Sequence, residues 1–241
     1  MMDLFNVLLL IFAVFLGGVI VSLMDGLKQK KLIKIMLAFS GGFLLSIAFV
    51  HFLPELYESE SKYSIGLFIL IGFLIQLFLE YFSGGIEHGH IHIHKNHRIP
   101  WALFISLSVH SFIEGIPLAG GEIHAHHSHM SGQSLLLGIL FHQTPVAIAL
   151  MTLLKGSGIT NKKSWIILMS FACMTPLGLL FGKIAHNAID IFSMNILLAI
   201  VVGMFLHIST TIIFEASENH RFNLMKLLSI IVGVALAVVI A

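Results

Sequence analysis

The chain has 241 residues, of which 57% are hydrophobic and 10% charged, with a mean hydropathy of +0.98 and a formal net charge of +1. Soluble domains carry about 25% charged residues, so this composition excludes a soluble protein and predicts one that lies almost entirely in a lipid bilayer. The near-zero net charge argues against a nucleic-acid partner, and the single cysteine, Cys173, leaves neither a disulfide nor a thiolate metal site.

Eight apolar segments are long enough to cross a membrane. The hydrocarbon core of a bilayer is about 30 Å thick and takes roughly 20 residues of helix. The apolar runs and the short polar connections place the predicted transmembrane helices at residues 4–24, 33–53, 64–83, 100–120, 133–154, 164–184, 193–214 and 224–241. The predicted fold class is therefore all-α, with a single multi-pass transmembrane domain over residues 1–241.

The basic residues predict the orientation of these helices. Eleven of the thirteen Lys and Arg residues fall in or beside the connections 25–32, 84–99, 155–163 and 215–223. They are Lys28, Lys30, Lys31, Lys34, Lys95, Arg98, Lys155, Lys162, Lys163, Arg221 and Lys226. Connections rich in Lys and Arg stay on the cytoplasmic side of the membrane. We therefore expect these four connections to lie inside and both chain termini to lie outside.

Ionisable side chains inside the fourth and fifth predicted helices form a candidate metal site. Such a side chain at membrane depth costs roughly 2.5–3.5 kcal/mol on insertion scales, so it needs a partner, water or a metal. His110 and Glu114 are four residues apart and share one face of the fourth helix, and His142 adds a second imidazole from the fifth. Pro117 and Pro145 follow these residues and are expected to bend or break the two helices. Two imidazoles and a carboxylate suit Zn²⁺ or a related divalent ion; a buried His–Glu pair that neutralises itself is the alternative.

Two further polar positions are candidates for the pathway of an ion. His51 and Glu55 lie four residues apart at the predicted outer end of the second helix, where they form either a first binding station or an interfacial polar cap. His207 lies inside the seventh helix, where it either lines the pathway or makes hydrogen bonds between helices.

Two connections are rich in histidine. The predicted inner loop, residues 84–99, contains His88, His90, His92, His94 and His97. The predicted outer loop, residues 121–132, contains His124, His126, His127 and His129. Neutral imidazole binds divalent transition metals well, so both loops are predicted to capture or buffer metal.

At these positions the sequence resembles the ZIP (Zrt-, Irt-like protein) family of divalent-metal transporters. The resemblance is carried by HFLPE at 51–55, HSFIEG at 110–115, HQTP at 142–145 and GMFLH at 203–207. It implies eight helices with both ends outside and transport of Zn²⁺, or of Fe²⁺, Mn²⁺ or Cd²⁺, toward the cytoplasm. It also implies a homodimer in which a block of helices one, four, five and six slides against the others. The short connections separately predict a bacterial-type inner membrane.

The sequence departs from the family pattern beside the predicted site. Many members hold two metals, using Asn after the fourth-helix His and acidic residues in the fifth and sixth helices. The corresponding residues here are Ser111, Gln143, Val146 and Thr175, which remove or weaken the ligands of a second metal. Ser111 remains a candidate pathway residue.

These departures predict a single intramembrane metal between the fourth and fifth helices. Its expected ligands are His110, Glu114 and His142, with Gln143 as a candidate fourth ligand. The same donors also describe a catalytic zinc, so an intramembrane zinc-dependent lipid hydrolase is the alternative function. A hydrolase would leave the two His-rich loops unexplained. It would also need a general base, and the sequence offers no second acidic residue near the site. We therefore expect a transporter rather than an enzyme.

Overall fold

The structure is a computed structural model of the 241-residue chain. It describes residues 2–24, 26–58, 64–86, 99–122, 129–188, 194–215, 217–218, 221–222 and 224–240.

Within these ranges the chain is almost entirely helical. The α-helices are α1 (Met2–Leu23), α2 (Gly26–Ile47), α3 (Leu53–Glu58), α4 (Ile65–Ser83), α5 (Trp101–Gly115), α6 (His129–Gly156), α7 (Asn161–Ala172), α8 (Met174–Ala188), α9 (Met194–Glu215) and α10 (Leu224–Ile240). A π-helical turn, Ala48–Phe52, joins α2 to α3, and a 3-10 turn, Ile116–Glu122, extends α5. Two short strands, β1 (Ser217–Glu218) and β2 (Arg221–Phe222), pair antiparallel between α9 and α10.

These elements form the eight predicted apolar segments. The second comprises α2, the π-helical turn and α3; the fourth comprises α5 and its 3-10 turn; and the sixth comprises α7 and α8. In the described part of the chain, seven segments are long and apolar enough to cross a membrane, and α10 is a shorter apolar helix of 17 residues. The prediction of an all-α, multi-pass membrane protein is confirmed.

Several predicted boundaries were wrong. Residues 26–32 were assigned to a loop but begin α2, because Lys, Gln and Leu are good helix formers and continue the apolar helix into a polar turn. Residues 129–132 were assigned to the outer loop but form the first turn of α6. The predicted inner loop 215–223 contains the two short strands.

Proline affects the three central segments differently. Pro145 lies inside α6, which continues through it, so the prediction that it breaks the fifth helix was wrong. It removes one donor to the carbonyl of residue 141, a loss that membrane helices tolerate. Pro117 does end the α-helical geometry, since α5 stops at Gly115 and continues as a 3-10 turn. The sixth segment is interrupted at Cys173, between α7 and α8, where the ring of Pro176 opposes the carbonyl of residue 172.

The helices pack as two groups. Helix group 1 contains α1, α5, α6, α7 and α8, in which α1 packs on α6 and α5 on α8. Helix group 2 contains α2, α4, α9 and α10, in which α2 packs on α10 and α4 on α9. The groups meet where α2 packs against α6 and α4 against α5.

The centre of the bundle lies along α6, where residues 147–150 are fully buried. Large apolar side chains remain exposed on the outer faces of α1, α4, α8 and α10, for example Phe12, Leu70, Leu180 and Val239. Such faces are stable in contact with lipid tails and place the bundle in the hydrocarbon region of a membrane.

Candidate metal centre

Three predicted ligands come together at the contact between α5 and α6. His110 Nε2 lies 3.0 Å from Glu114 Oε1, and the rings of His110 and His142 have their centroids 5.8 Å apart. One ligand atom from each of the three residues lies within 4.8 Å of the others, and in the described part of the chain they are the one group of three or more metal-ligating side chains. The predicted convergence of His110, Glu114 and His142 is therefore present in the structure.

The centre is buried and rich in lone pairs. His110, Glu114 and His142 have 1%, 0% and 1% of their surface exposed. Among the described residues, neither carboxylate oxygen of Glu114 and neither ring nitrogen of His142 has a hydrogen-bond partner. An uncompensated buried carboxylate costs several kcal/mol, so a cation bound here would remove a large penalty. The donor chemistry fits a borderline divalent metal.

Local sequence explains how the helices present these ligands. His110 and Glu114 are one turn apart on α5, so their side chains lie one above the other. α5 then packs on α8 at backbone distance, since a Cβ at Gly115 would clash with the carbonyl of Thr175 and a Cβ at Gly178 with that of Phe112. Small residues at these positions hold the two helices close together beside the centre.

Two amide side chains adjoin the centre, one by a contact in space and one by its position in the sequence. Gln76 on α4 is fully buried, and its Oε1 lies 2.9 Å from His110 Nδ1. Gln143, the predicted fourth ligand, follows His142 on α6 and donates an Nε2–H to the hydroxyl of Thr175. Because its amide nitrogen is engaged in that bond, the amide oxygen is the atom with which Gln143 would act as the predicted fourth ligand.

A second His–carboxylate pair lies within helix group 2. His207 Nε2 on α9 is 3.4 Å from Glu80 Oε2 on α4, and its imidazole packs edge-on against the ring of Phe73 at 4.7 Å. Glu80 follows Gln76 by one turn of α4, about 6 Å along the helix axis. The pair is less enclosed than the metal centre, because the Glu80 side chain is 22% exposed.

The sequence prediction missed Gln76 and Glu80, although a signal was present. Both interrupt the apolar run of residues 65–83, and a polar side chain inside a membrane helix needs a partner there, as His110 does. Their spacing of four residues also places them on one face of α4.

Other predicted positions lie elsewhere. His51 is in the π-helical turn with its Nε2 buried, and Glu55 is on α3. Ser111 is buried next to His110. His129 is the first residue of α6. The remaining loop histidines lie outside the described residues: His88, His90, His92, His94, His97, His124, His126 and His127.

Known proteins resemble the chain along most of its length. It is 28% identical to the metal cation symporter ZIP8 of Homo sapiens and of Rattus norvegicus over 121 residues, which are 50% of this chain and 25% of each relative. The match thus spans about a quarter of the length of these relatives. A Methanocaldococcus jannaschii protein of unassigned function, MJ1036, is 28% identical over 204 residues, 82% of each chain.

The family comparison covers nearly every residue. The model of the ZIP zinc transporter family matches residues 2–100 and 85–241. The two matched ranges contain all three predicted ligands and both residues of the Glu80–His207 pair. The chain therefore belongs to the ZIP zinc transporter family, whose members are transporters rather than enzymes.

Proposed function

We propose that this protein carries divalent transition-metal ions, first among them Zn²⁺, across the membrane through a single site formed by His110, Glu114 and His142. The observation that carries the proposal is the convergence of their ligand atoms within 4.8 Å in a buried position between two membrane helices. Family membership supports metal ions as the cargo. The same nitrogen and oxygen donors also accept Fe²⁺, Mn²⁺ and Cd²⁺.

The number of ligands suits transport. A structural zinc site has four protein ligands, whereas three protein ligands leave a coordination position open to water. A transported ion must be bound strongly enough to be selected and weakly enough to be released. Three protein ligands meet both conditions, and the amide oxygen of Gln143 is a candidate to share the fourth position with water.

We propose a single metal because the neighbouring side chains are poor ligands. Val146 is buried and has no donor atom, and the buried Thr175 hydroxyl accepts a hydrogen bond from Gln143. A binding stoichiometry of two intramembrane metals per chain would contradict this part of the proposal.

The proposed direction of transport, toward the cytoplasm, is the one that the family resemblance implies, and the proposed topology gives the path. With Lys- and Arg-rich connections inside and both termini outside, an ion would enter near His51 and Glu55 and leave past His207 toward the inner His-rich loop. We place the protein in a bacterial-type inner membrane as a homodimer, with both His-rich loops capturing metal.

Labelling with a membrane-impermeant maleimide tests the topology. In a Cys173→Ser background, the reagent should modify Tyr57→Cys in intact cells but Lys162→Cys only after permeabilisation. Both positions are exposed, so a difference in labelling reports the side of the membrane.

Transport itself is tested by Zn²⁺ uptake into proteoliposomes containing the purified protein. His110→Ala, Glu114→Ala and His142→Ala should abolish uptake, because each removes one of three ligands. Ser209→Ala is a matched control. Ser209 is equally buried, and its hydroxyl donates to the carbonyls of Phe205 and Leu206 in its own helix. Tight binding of Zn²⁺ without flux in the wild type would overturn the transport proposal and direct attention to lipid hydrolysis.

A further inference from the structure

We infer that Gln76 is a positioning residue for the metal centre: it fixes His110 in the tautomer whose Nε2 is free of a proton and available to the metal. This inference rests on the proposed function, because it assigns a role at the same site. It concerns a residue of helix group 2 that acts on a ligand of helix group 1.

The contact is close and completely buried. Gln76 Oε1 lies 2.9 Å from His110 Nδ1, across the packing of α4 against α5. Gln76 is 0% exposed and His110 is 1% exposed, so water does not compete for this hydrogen bond. A hydrogen bond to one ring nitrogen of a histidine determines which nitrogen carries the proton.

The amide oxygen selects the proton position. As an acceptor, Oε1 requires a proton on Nδ1, and the neutral ring then has a lone pair on Nε2. That lone pair lies 3.0 Å from Glu114 Oε1, which also carries lone pairs. Two acceptors this close repel each other unless a cation lies beside both. Two ligands of one tetrahedral zinc are separated by about 3.3 Å, given Zn–N and Zn–O bonds of about 2.0–2.2 Å, so the observed spacing suits a shared metal.

The other tautomer of His110 would make the centre a poorer metal site. With the proton on Nε2, neutral His110 would donate a hydrogen bond to Glu114, leaving fewer lone pairs for a metal. That state requires Gln76 to turn its amide and donate to Nδ1. A carboxylate at position 76 can only accept in this contact when ionised, whereas a leucine can neither accept nor donate. Glutamate at position 76 therefore keeps the acceptor for His110 Nδ1, whereas leucine removes both the acceptor and the donor.

A matched control crosses the same helix contact. The hydroxyl of Ser106 on α5 donates to the carbonyl of Leu79 on α4, one turn before His110. Ser106→Ala removes a buried hydrogen bond between these two helices but leaves the ring of His110 untouched. This variant shows how far the loss of a buried hydrogen bond between α4 and α5 changes Zn²⁺ affinity by itself.

The experiment measures Zn²⁺ binding to the purified protein in detergent by titration calorimetry. Subtracting the His110→Ala titration isolates the intramembrane site from the His-rich loops. Gln76→Leu should weaken binding by about 10- to 100-fold, the usual effect of removing an outer partner of a metal-binding histidine. Gln76→Glu should bind at least as tightly as the wild type, and Ser106→Ala should change the affinity less than threefold.

A second measurement observes the tautomer of His110 directly in the wild type. Nitrogen-15 NMR of histidine-labelled, metal-free wild type should show His110 protonated at Nδ1, with the signal assigned from its disappearance in His110→Ala. Protonation at Nε2, or an unchanged Zn²⁺ affinity in Gln76→Leu, would overturn the inference while leaving the transporter intact. If the wild type bound no Zn²⁺ dependent on His110, the inference and the proposed site would both fall, and the flux assay would show this independently.

Discussion

The contacts inside the two helix groups differ from the contacts between them. Inside the groups, most glycines face backbone: a Cβ at Gly42 would clash with the carbonyl of Ile230, and one at Gly72 with that of Ile200, whereas Gly18 and Gly41 face side chains. Between the groups, Gly138 faces the ends of the Ile47 and Leu44 side chains. A clash with backbone forces a helix to move, whereas a clash with the end of a side chain is relieved by rotation. The groups are therefore built as rigid units with an adaptable surface between them.

Aromatic packing on that surface agrees with this difference. On α6, Phe141 packs edge-on against Phe39 and Phe43 of α2, at centroid distances of 5.4 and 5.0 Å. All three proposed metal ligands belong to group 1, whereas Gln76 and the Glu80–His207 pair belong to group 2. The comparison favours transport in which group 1 carries the metal past group 2, the sliding that the family resemblance implies.

The largest expected effect comes from joining the two groups covalently. In a Cys173→Ser background, cysteines at Ile47 and Gly138 would be linked by a short bifunctional thiol reagent across the α2–α6 contact. Zn²⁺ flux into proteoliposomes should fall to background, because the groups can no longer move past each other. Zn²⁺ binding should persist, since no ligand has changed.

A link within group 2 is the control for that experiment. Cysteines at Gly41 and Ile212 would join α2 to α9, and their Cβ atoms lie about 3.2 Å apart, near the spacing of a disulfide. This link should leave flux unchanged. Equal loss of flux from both links, or normal flux through the protein linked at Ile47 and Gly138, would contradict the division into two moving groups.

The sequence predicted the cluster of His110, Glu114 and His142 because these residues violate the local pattern. His110, Glu114 and His142 interrupt apolar helices, and the spacing of the first two is visible without a structure. Gln76 was missed because its role depends on a partner 34 residues away, and helical periodicity does not say which faces will meet. The pairing of Glu80 with His207 is equally a product of tertiary packing.

The number of apolar membrane segments was predictable from the sequence, but the residues at which the helices begin and end were not. Twenty apolar residues match the bilayer, so hydropathy alone locates a membrane helix. Polar turns beyond the membrane leave no such signal, which is why the starts of α2 and α6 were misplaced. Pro145 shows the same limit, because neighbouring helices decide whether a proline breaks a membrane helix.

A smaller effect is expected from one substitution made at two glycines. Gly178→Ala places a Cβ against the backbone carbonyl of Phe112 inside group 1 and should destabilise the protein by about 1–3 kcal/mol. Gly138→Ala meets the Ile47 side chain between the groups and should cost about 1 kcal/mol or less, since that side chain can rotate away. The free energy of unfolding in mixed detergent micelles measures both. A reversed order would mean that the contact between the groups is the more rigid one.

The smallest effect on flux should come from His207→Gln, which changes the Glu80–His207 pair of group 2. The same substitution at His142 is the reference. His142→Gln removes a ligand and should abolish both Zn²⁺ binding at the centre and flux. His207→Gln should leave that binding unchanged and lower flux about tenfold or less, equivalent to roughly 1.4 kcal/mol of barrier, because His207 contacts Glu80 rather than the three ligands. Loss of the bound Zn²⁺ in His207→Gln would place His207 within the same site. The ligands would then belong to both groups, and the metal could not travel with one group alone.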